Sequence, residues 1–183
     1  LLVGGSGTDT VSYATATAGV TSNLQMGLGV DDGGLFDTYT SIESVLGSVY
    51  ADVIVGLAGV ANRLEGGDGN DMFVGEGVDT VIGGNGVDVY FGGQGSGLSI
   101  DLGAQGLEQV WGSYVGDVMN GAGSSAALVL VGQGLAGGAN ADTMTGGSGD
   151  DFVYYRAGDV IAGGGGADWA VASLSASGVT LNL

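Results

Sequence analysis

The sequence predicts an all-β solenoid of short strands joined by glycine-rich turns. Three observations point there. A nine-residue motif, Gly-Gly-x-Gly-x-Asp-x-U-x with U apolar, recurs along the chain. Forty-two glycines and no proline occur in 183 residues, which excludes collagen and leaves disorder or a repeat array. The chain is also 44% hydrophobic with mean hydropathy +0.37, too apolar for disorder.

The motif is complete at Gly4–Ser12, Gly66–Val74, Gly83–Phe91, Gly146–Tyr154 and Gly163–Val171. Weaker copies occupy 47–55, 56–65, 74–82, 137–145 and 155–162, with Asn62 in the acidic position of the second. The first six residues of each copy read as a turn, because glycine tolerates positive φ and close backbone approach. The last three read as a strand whose middle side chain opposes its neighbours. Val11, Ile54, Phe73, Val81, Tyr90, Met144, Val153 and Ile161 are therefore predicted to face the interior.

A longer repeat overlies the short one. Gly19–Leu24, Gly97–Leu102 and Gly178–Leu183 are versions of one strand, and Ile42–Ser48 matches Leu107–Ser113. We read residues 1–183 as one continuous body with long repeats at about 4–91 and 92–162 and the start of a third at 163–183. The strongest nonapeptide clusters are 47–100 and 137–171, and the chain reads as part of something longer.

Twenty acidic residues face only Arg63 and Arg156, giving a net charge of −18. Such a chain repels nucleic-acid backbones and anionic membrane surfaces and attracts cations. No apolar run reaches the ~18 residues of a membrane span. Without histidine, cysteine or lysine, no nucleophile or base is placed for catalysis, and the expectation is a non-enzymatic chain.

The motif resembles the RTX (repeats-in-toxin) calcium-binding β-roll family, most strongly over 47–100 and 137–171. The resemblance implies a right-handed parallel β-roll, a β-solenoid with two nonapeptides per turn and calcium between successive turns. Two thin parallel sheets and roughly ten coils of ~18 residues are then expected. It also implies secretion, usually of bacterial type I, to the cell exterior or surface. The residues agree on the metal. Aspartates and glycine carbonyls are the hard oxygen donors that calcium takes in sets of six to eight, whereas zinc and copper favour the absent histidine and cysteine.

By that resemblance the metal-binding pairs are Asp71/Asp88, Asp142/Asp159 and Asp151/Asp168, with the turn glycines Gly67, Gly69, Gly84, Gly86, Gly147, Gly149, Gly164 and Gly166. Asp52, Asp79 and Asp9, with Gly75 and Gly77, complete the expected set of sites for several calcium ions. Gly97 stands where an aspartate should follow Asp79, so the ladder is expected to weaken there; Asp31 and Asp32 read as loop residues. The flanking positions Met72, Val74, Val89, Phe91, Phe152, Tyr154, Trp169 and Val171 should point outward. They are either covered by other segments or form an adhesive surface for lateral self-association, and the exposed solenoid ends favour end-to-end stacking. Two functions remain open: an extracellular structural scaffold such as a surface layer, matrix fibre or adhesin stalk, and a non-catalytic secretion and folding module of an enzyme or toxin.

Overall fold

The computed structural model describes residues 1–31, 34, 36–93, 95–133, 140–172 and, for the backbone, 180–182. The long-repeat strand 178–183, the weak-copy glycines Gly137 and Gly138, and Asp32 lie partly or wholly outside them.

The protein is a parallel β-solenoid. On one side, eight strands stack in parallel in chain order: Thr21–Asn23, Val53–Val55, Met72–Gly75, Val89–Gly92, Gln109–Trp111, Val129–Val131, Phe152–Tyr155 and Trp169–Ala172. On the other, Thr10–Ser12, Ser44–Leu46, Arg63–Asp68 and Thr80–Asn85 form one parallel sheet. A second begins at Ser99–Asp101 and continues through Val118–Asn120, Thr143–Thr145, Val160–Ala162 and Thr180–Asn182. The break between Asn85 and Ser99 falls at the lapse marked by Gly97. Leu102–Gln105 then forms a single helical turn, with Asp101 accepting the Ala104 N–H at its start.

The core is a narrow seam between the two sides. All eight residues predicted to face inward are buried, and the extra strands add Val45, Leu64, Ile100, Val110, Met119 and Leu130. Three-residue strands bury their middle side chain because a strand's faces alternate with a period of two. Stacked repeats share this seam continuously, so no coil stands alone.

Fewer coils form than the ten expected. The strict repeat steps 17 residues per coil, as between Asp71 and Asp88. Elsewhere the step lengthens to 25 from Asp117 to Asp142 and to 34 from Asp9 to Glu43. The longest excursion contains Leu28–Val30 and Phe36–Thr40, which add antiparallel strands at the N-terminal edge of the first side. A polar knot fixes this hairpin: the hydroxyls of Tyr13 and Tyr39 hydrogen-bond, and Tyr13 also donates to Asp37 at 3.2 Å.

Outward flanks on the first side remain exposed among the described residues. Met72, Trp111, Phe152, Tyr154, Trp169 and Val171 are exposed, while Val74, Val89 and Phe91 are half-buried. Strands 20–24 and 98–102, one candidate cover, stack within the solenoid instead.

Candidate metal centre

One residue position recurs immediately before each strand, and there the aspartates form two columns. An aspartate at this position extends Oδ1 to the backbone N–H of the equivalent residue in the preceding coil. On the first side Asp71 accepts from Asp52 at 2.9 Å, Asp88 from Asp71 at 2.8 Å and Asp168 from Asp151 at 3.0 Å. On the other side Asp142 accepts from Asp117 and Asp159 from Asp142, both at 2.9 Å. Val20, Leu98 and Leu128 occupy the position without acid and donate their N–H to Asp52, Asp117 and Asp151. The three expected pairs are thus neighbours. At the expected weak point, Asp79 accepts from Asn62, but its own N–H turns to the Glu76 carbonyl; the next residue in this column is Leu98 rather than the expected Gly97, and it offers no carboxylate.

The second carboxylate oxygen separates the turns into two kinds. In the Gly-Ser turns, Asp52 Oδ2 accepts the Ser48 N–H at 2.5 Å and Asp117 Oδ2 that of Ser113 at 2.7 Å. Ser48 and Ser113 also donate Oγ to Oδ1 of the same aspartates, at 2.9 and 2.7 Å. In the short turns, Oδ2 of Asp79 and Asp159 accepts the N–H of Glu76 and Arg156. Asp151 Oδ2 likewise accepts from Gly147. These side chains close their own turns. In three of the complete nonapeptides, those of Asp9, Asp71 and Asp88, Oδ2 is instead buried without a hydrogen-bond partner.

An unpartnered buried carboxylate oxygen demands a counter-charge or a proton. Burial pushes Asp71 and Asp142 up to about 7 and Asp88 up to about 6, against incoming N–H bonds that pull them down. The charges of Asp88 and Asp52 add to the rise at Asp71, that of Asp159 at Asp142, and that of Glu108 at Asp88. Asp151 is also raised by burial.

The glycines leave room for main-chain oxygens. A Cβ on Gly84, Gly86, Gly164 or Gly166 would fall within 3.0 Å of the carbonyl oxygen of Gly67, Gly69, Gly147 or Gly149 in the preceding coil. Gly67, Gly147 and Gly149 approach Ser48, Ser124 and Ala126 in the same way, and Gly69 approaches Tyr50. Gly75 lies against Asp79 Oδ2, and Gly77 against the Gly97 carbonyl. Among the described residues no three acidic side chains converge, because each coil supplies one carboxylate per column. Any ion held here needs the carbonyls, which suits calcium.

Two column members escaped the sequence reading. Glu43 Oε2 accepts the Asp9 N–H at 3.1 Å, and Glu108 Oε2 accepts that of Asp88 at 2.8 Å. The match between Ile42–Ser48 and Leu107–Ser113 was the signal. The tight Gly-x-Asp turn is replaced there, so nothing in the nonapeptide register identified the glutamate as the acid.

Comparison with known proteins agrees with the geometry. The RTX calcium-binding nonapeptide repeat matches in four copies, at 46–77, 72–98, 135–159 and 156–173. No curated protein matches the chain. Half the sequence lies within the matched repeats, the orphaned oxygens of Asp71 and Asp88 lie inside them, and the chain belongs to the RTX calcium-binding repeat family, as a calcium-binding β-roll module.

Proposed function

We propose that this module is a calcium-triggered structural element of an exported protein: unfolded at cytosolic calcium, ordered outside the cell. The observation that carries this reading is the pair of buried, partnerless Oδ2 atoms of Asp71 and Asp88 in a chain of net charge −18. Without a cation, folding traps acid next to acid; with one, those oxygens and the adjacent carbonyls become ligands. Asp71, Asp88, Asp142, Asp159, Asp151 and Asp168 with their turn glycines are the residues we assign to the ions. Asp52, Asp79, Asp151 and Asp159 close their own turns, which ranks them below Asp71 and Asp88, whose Oδ2 atoms are unpartnered.

The magnitudes favour a switch. Extracellular calcium modules bind with dissociation constants on the order of 0.1–1 mM. At about millimolar calcium each site then contributes roughly 0.4–1.4 kcal/mol, and at micromolar calcium almost nothing. Nearest-neighbour coupling between coils makes several such terms cooperative. Circular dichroism through a calcium titration tests it. Strand signal should appear between micromolar and millimolar calcium and vanish with chelator; full strand content at micromolar calcium would sink the proposal.

A second reading, lateral self-association, is favoured by the exposed ring row on the first side. Phe152 and Trp169 stack at 4.9 Å, and Phe91 and Trp111 meet at 5.7 Å. Beside them Trp111, Val129, Val131 and Tyr154 line an open apolar hollow of about 390 Å³. Calcium would remove the charge repulsion that keeps copies apart, so assemblies visible by electron microscopy should require millimolar calcium. Monomers under those conditions would leave the module as a folding and secretion element.

A further inference from the structure

We infer that the protein holds a second class of divalent-cation site, one carboxylate from an aspartate and one from a glutamate, at Asp9/Glu43 and Asp88/Glu108. It rests on the calcium-binding reading above. Glu43, Glu108 and Asp9 lie outside the residues matched by the nonapeptide family.

The two places are built alike, bond for bond. Asp9 and Asp88 are the aspartates of complete nonapeptides, each with a buried Oδ2 that lacks a partner; Asp88 as a residue is fully buried. The following coil supplies a glutamate, whose Oε2 takes the aspartate N–H. The aspartate carbonyl in turn receives two N–H groups, from Glu43 and Ser44 at 3.1 and 3.0 Å and from Glu108 and Gln109 at 3.2 and 3.0 Å.

Two residues before each glutamate the backbone turns left-handed. Ser41 has φ 54°, the one positive-φ residue other than glycine among those described, and Gly106 has φ 60°. That turn sends a carbonyl oxygen toward the aspartate. A Cβ on Gly83 would fall within 3.0 Å of both the Gly106 carbonyl oxygen and Asp88 Oδ2. A Cβ on Gly4 would fall equally close to the Ser41 carbonyl oxygen and the Asp9 carboxyl carbon. The orphaned oxygen of Asp88 therefore looks onto a main-chain oxygen held in place by an αL residue, with a second carboxylate beside it. Glu108 Oε1 takes no part in the Asp88 bond.

Only oxygen donors are present, two of them anionic, so the ligand is a hard divalent cation of the calcium class. Both sites sit where a complete nonapeptide meets a coil lacking the Gly-x-Asp turn, so an ion there carries the ladder across the lapse.

Calcium counting by native mass spectrometry tests the assignment, with E43Q, E108Q and the double variant. Glutamine keeps an oxygen to accept the aspartate N–H and removes only the charge. Each single variant should lose one ion relative to the parent and the double variant two, with strand content at saturating calcium preserved. D71N should lose an ion with both glutamate sites still filled. A double variant that binds the parental number overturns the glutamate sites alone, since D71N reports separately on the nonapeptide ladder. A parent protein that binds no calcium overturns both readings. Should the double variant fail to fold, crystals of the parent grown in calcium decide the matter: an ion between Asp88, Gly106 and Glu108 supports the site, and its absence there rejects it.

Discussion

The backbone N–H of Asp71 donates to Oδ1 of Asp88 at 2.8 Å, while the Oδ2 atoms of both residues are buried without partners. Each carboxylate thus has one oxygen that builds the fold and one left without a hydrogen-bond partner. The Gly-Ser turns do not share this division, since Asp52 and Asp117 engage both oxygens within the chain.

D71N and D52N should consequently behave differently. Asparagine at 71 keeps an oxygen for the Asp52 N–H but loses a ligand charge, so the calcium midpoint for folding should rise about two- to tenfold, the worth of one site. Asparagine at 52 disturbs a closed turn, costing about 1–3 kcal/mol with the calcium count unchanged. Calcium titration followed by circular dichroism, with native mass spectrometry for the count, separates the two.

Ser113→Ala should weaken the module in saturating calcium. Its Oγ donates to Asp117 at 2.7 Å and accepts the Val115 N–H at 3.2 Å in a buried turn. Losing these bonds costs about 1–3 kcal/mol, measurable by urea unfolding. Unaltered stability would mean that the Gly-Ser turn is held by other means.

Metal-free protein should gain structure on acidification. Asp71 and Asp142 are pushed up to about 7 and Asp88 to about 6, all from an ordinary 3.8. An aspartate raised on folding favours the folded chain fully below its unfolded value, and that contribution is lost as pH rises through the folded value. The window is therefore about pH 4 to 7. Circular dichroism without calcium should show more strand at pH 5 than at pH 8, whereas calcium affinity should fall over the same change because protons compete for the same oxygens.

Glycine replacements should divide by position. Gly84 has φ +117° and faces the Gly67 carbonyl within 3.0 Å, so alanine there combines backbone strain with overlap and should cost at least about 2–4 kcal/mol. Gly123 has open space and no left-handed φ, and its alanine variant should lie within about 0.5 kcal/mol of the parent. Thermal unfolding in calcium compares them directly.

Much of this was legible in the residues. Phe73, Tyr90 and Val153 could be placed inside because a three-residue strand has one inward position, and the missing acid marked the break between sheets, although the column residue there is Leu98 rather than Gly97. The excursions were not legible. Between Leu24 and Glu43, and between Leu102 and Glu108, the nine-residue period stops, and tertiary stacking alone decides which residue resumes the column. Hence the overcount of coils and the missed glutamates.

The ladder also has polarity. In every bond from a pre-strand N–H onto a column carboxylate, the donor precedes the acceptor in the chain: Asp9 to Glu43, Asp52 to Asp71, Leu98 to Asp117, Asp151 to Asp168. Removing a coil from the C-terminal side strips its upstream neighbour of an acceptor and strands an amide. Removing one from the N-terminal side frees a carboxylate oxygen and also strips the next coil's first strand amide of its carbonyl, as Met72 N–H donates to the Asp52 carbonyl and Val89 N–H to that of Asp71. The two ends of the solenoid are therefore unequal as templates: the back presents a pre-strand amide and its carbonyl, the front a strand amide and a carboxylate oxygen.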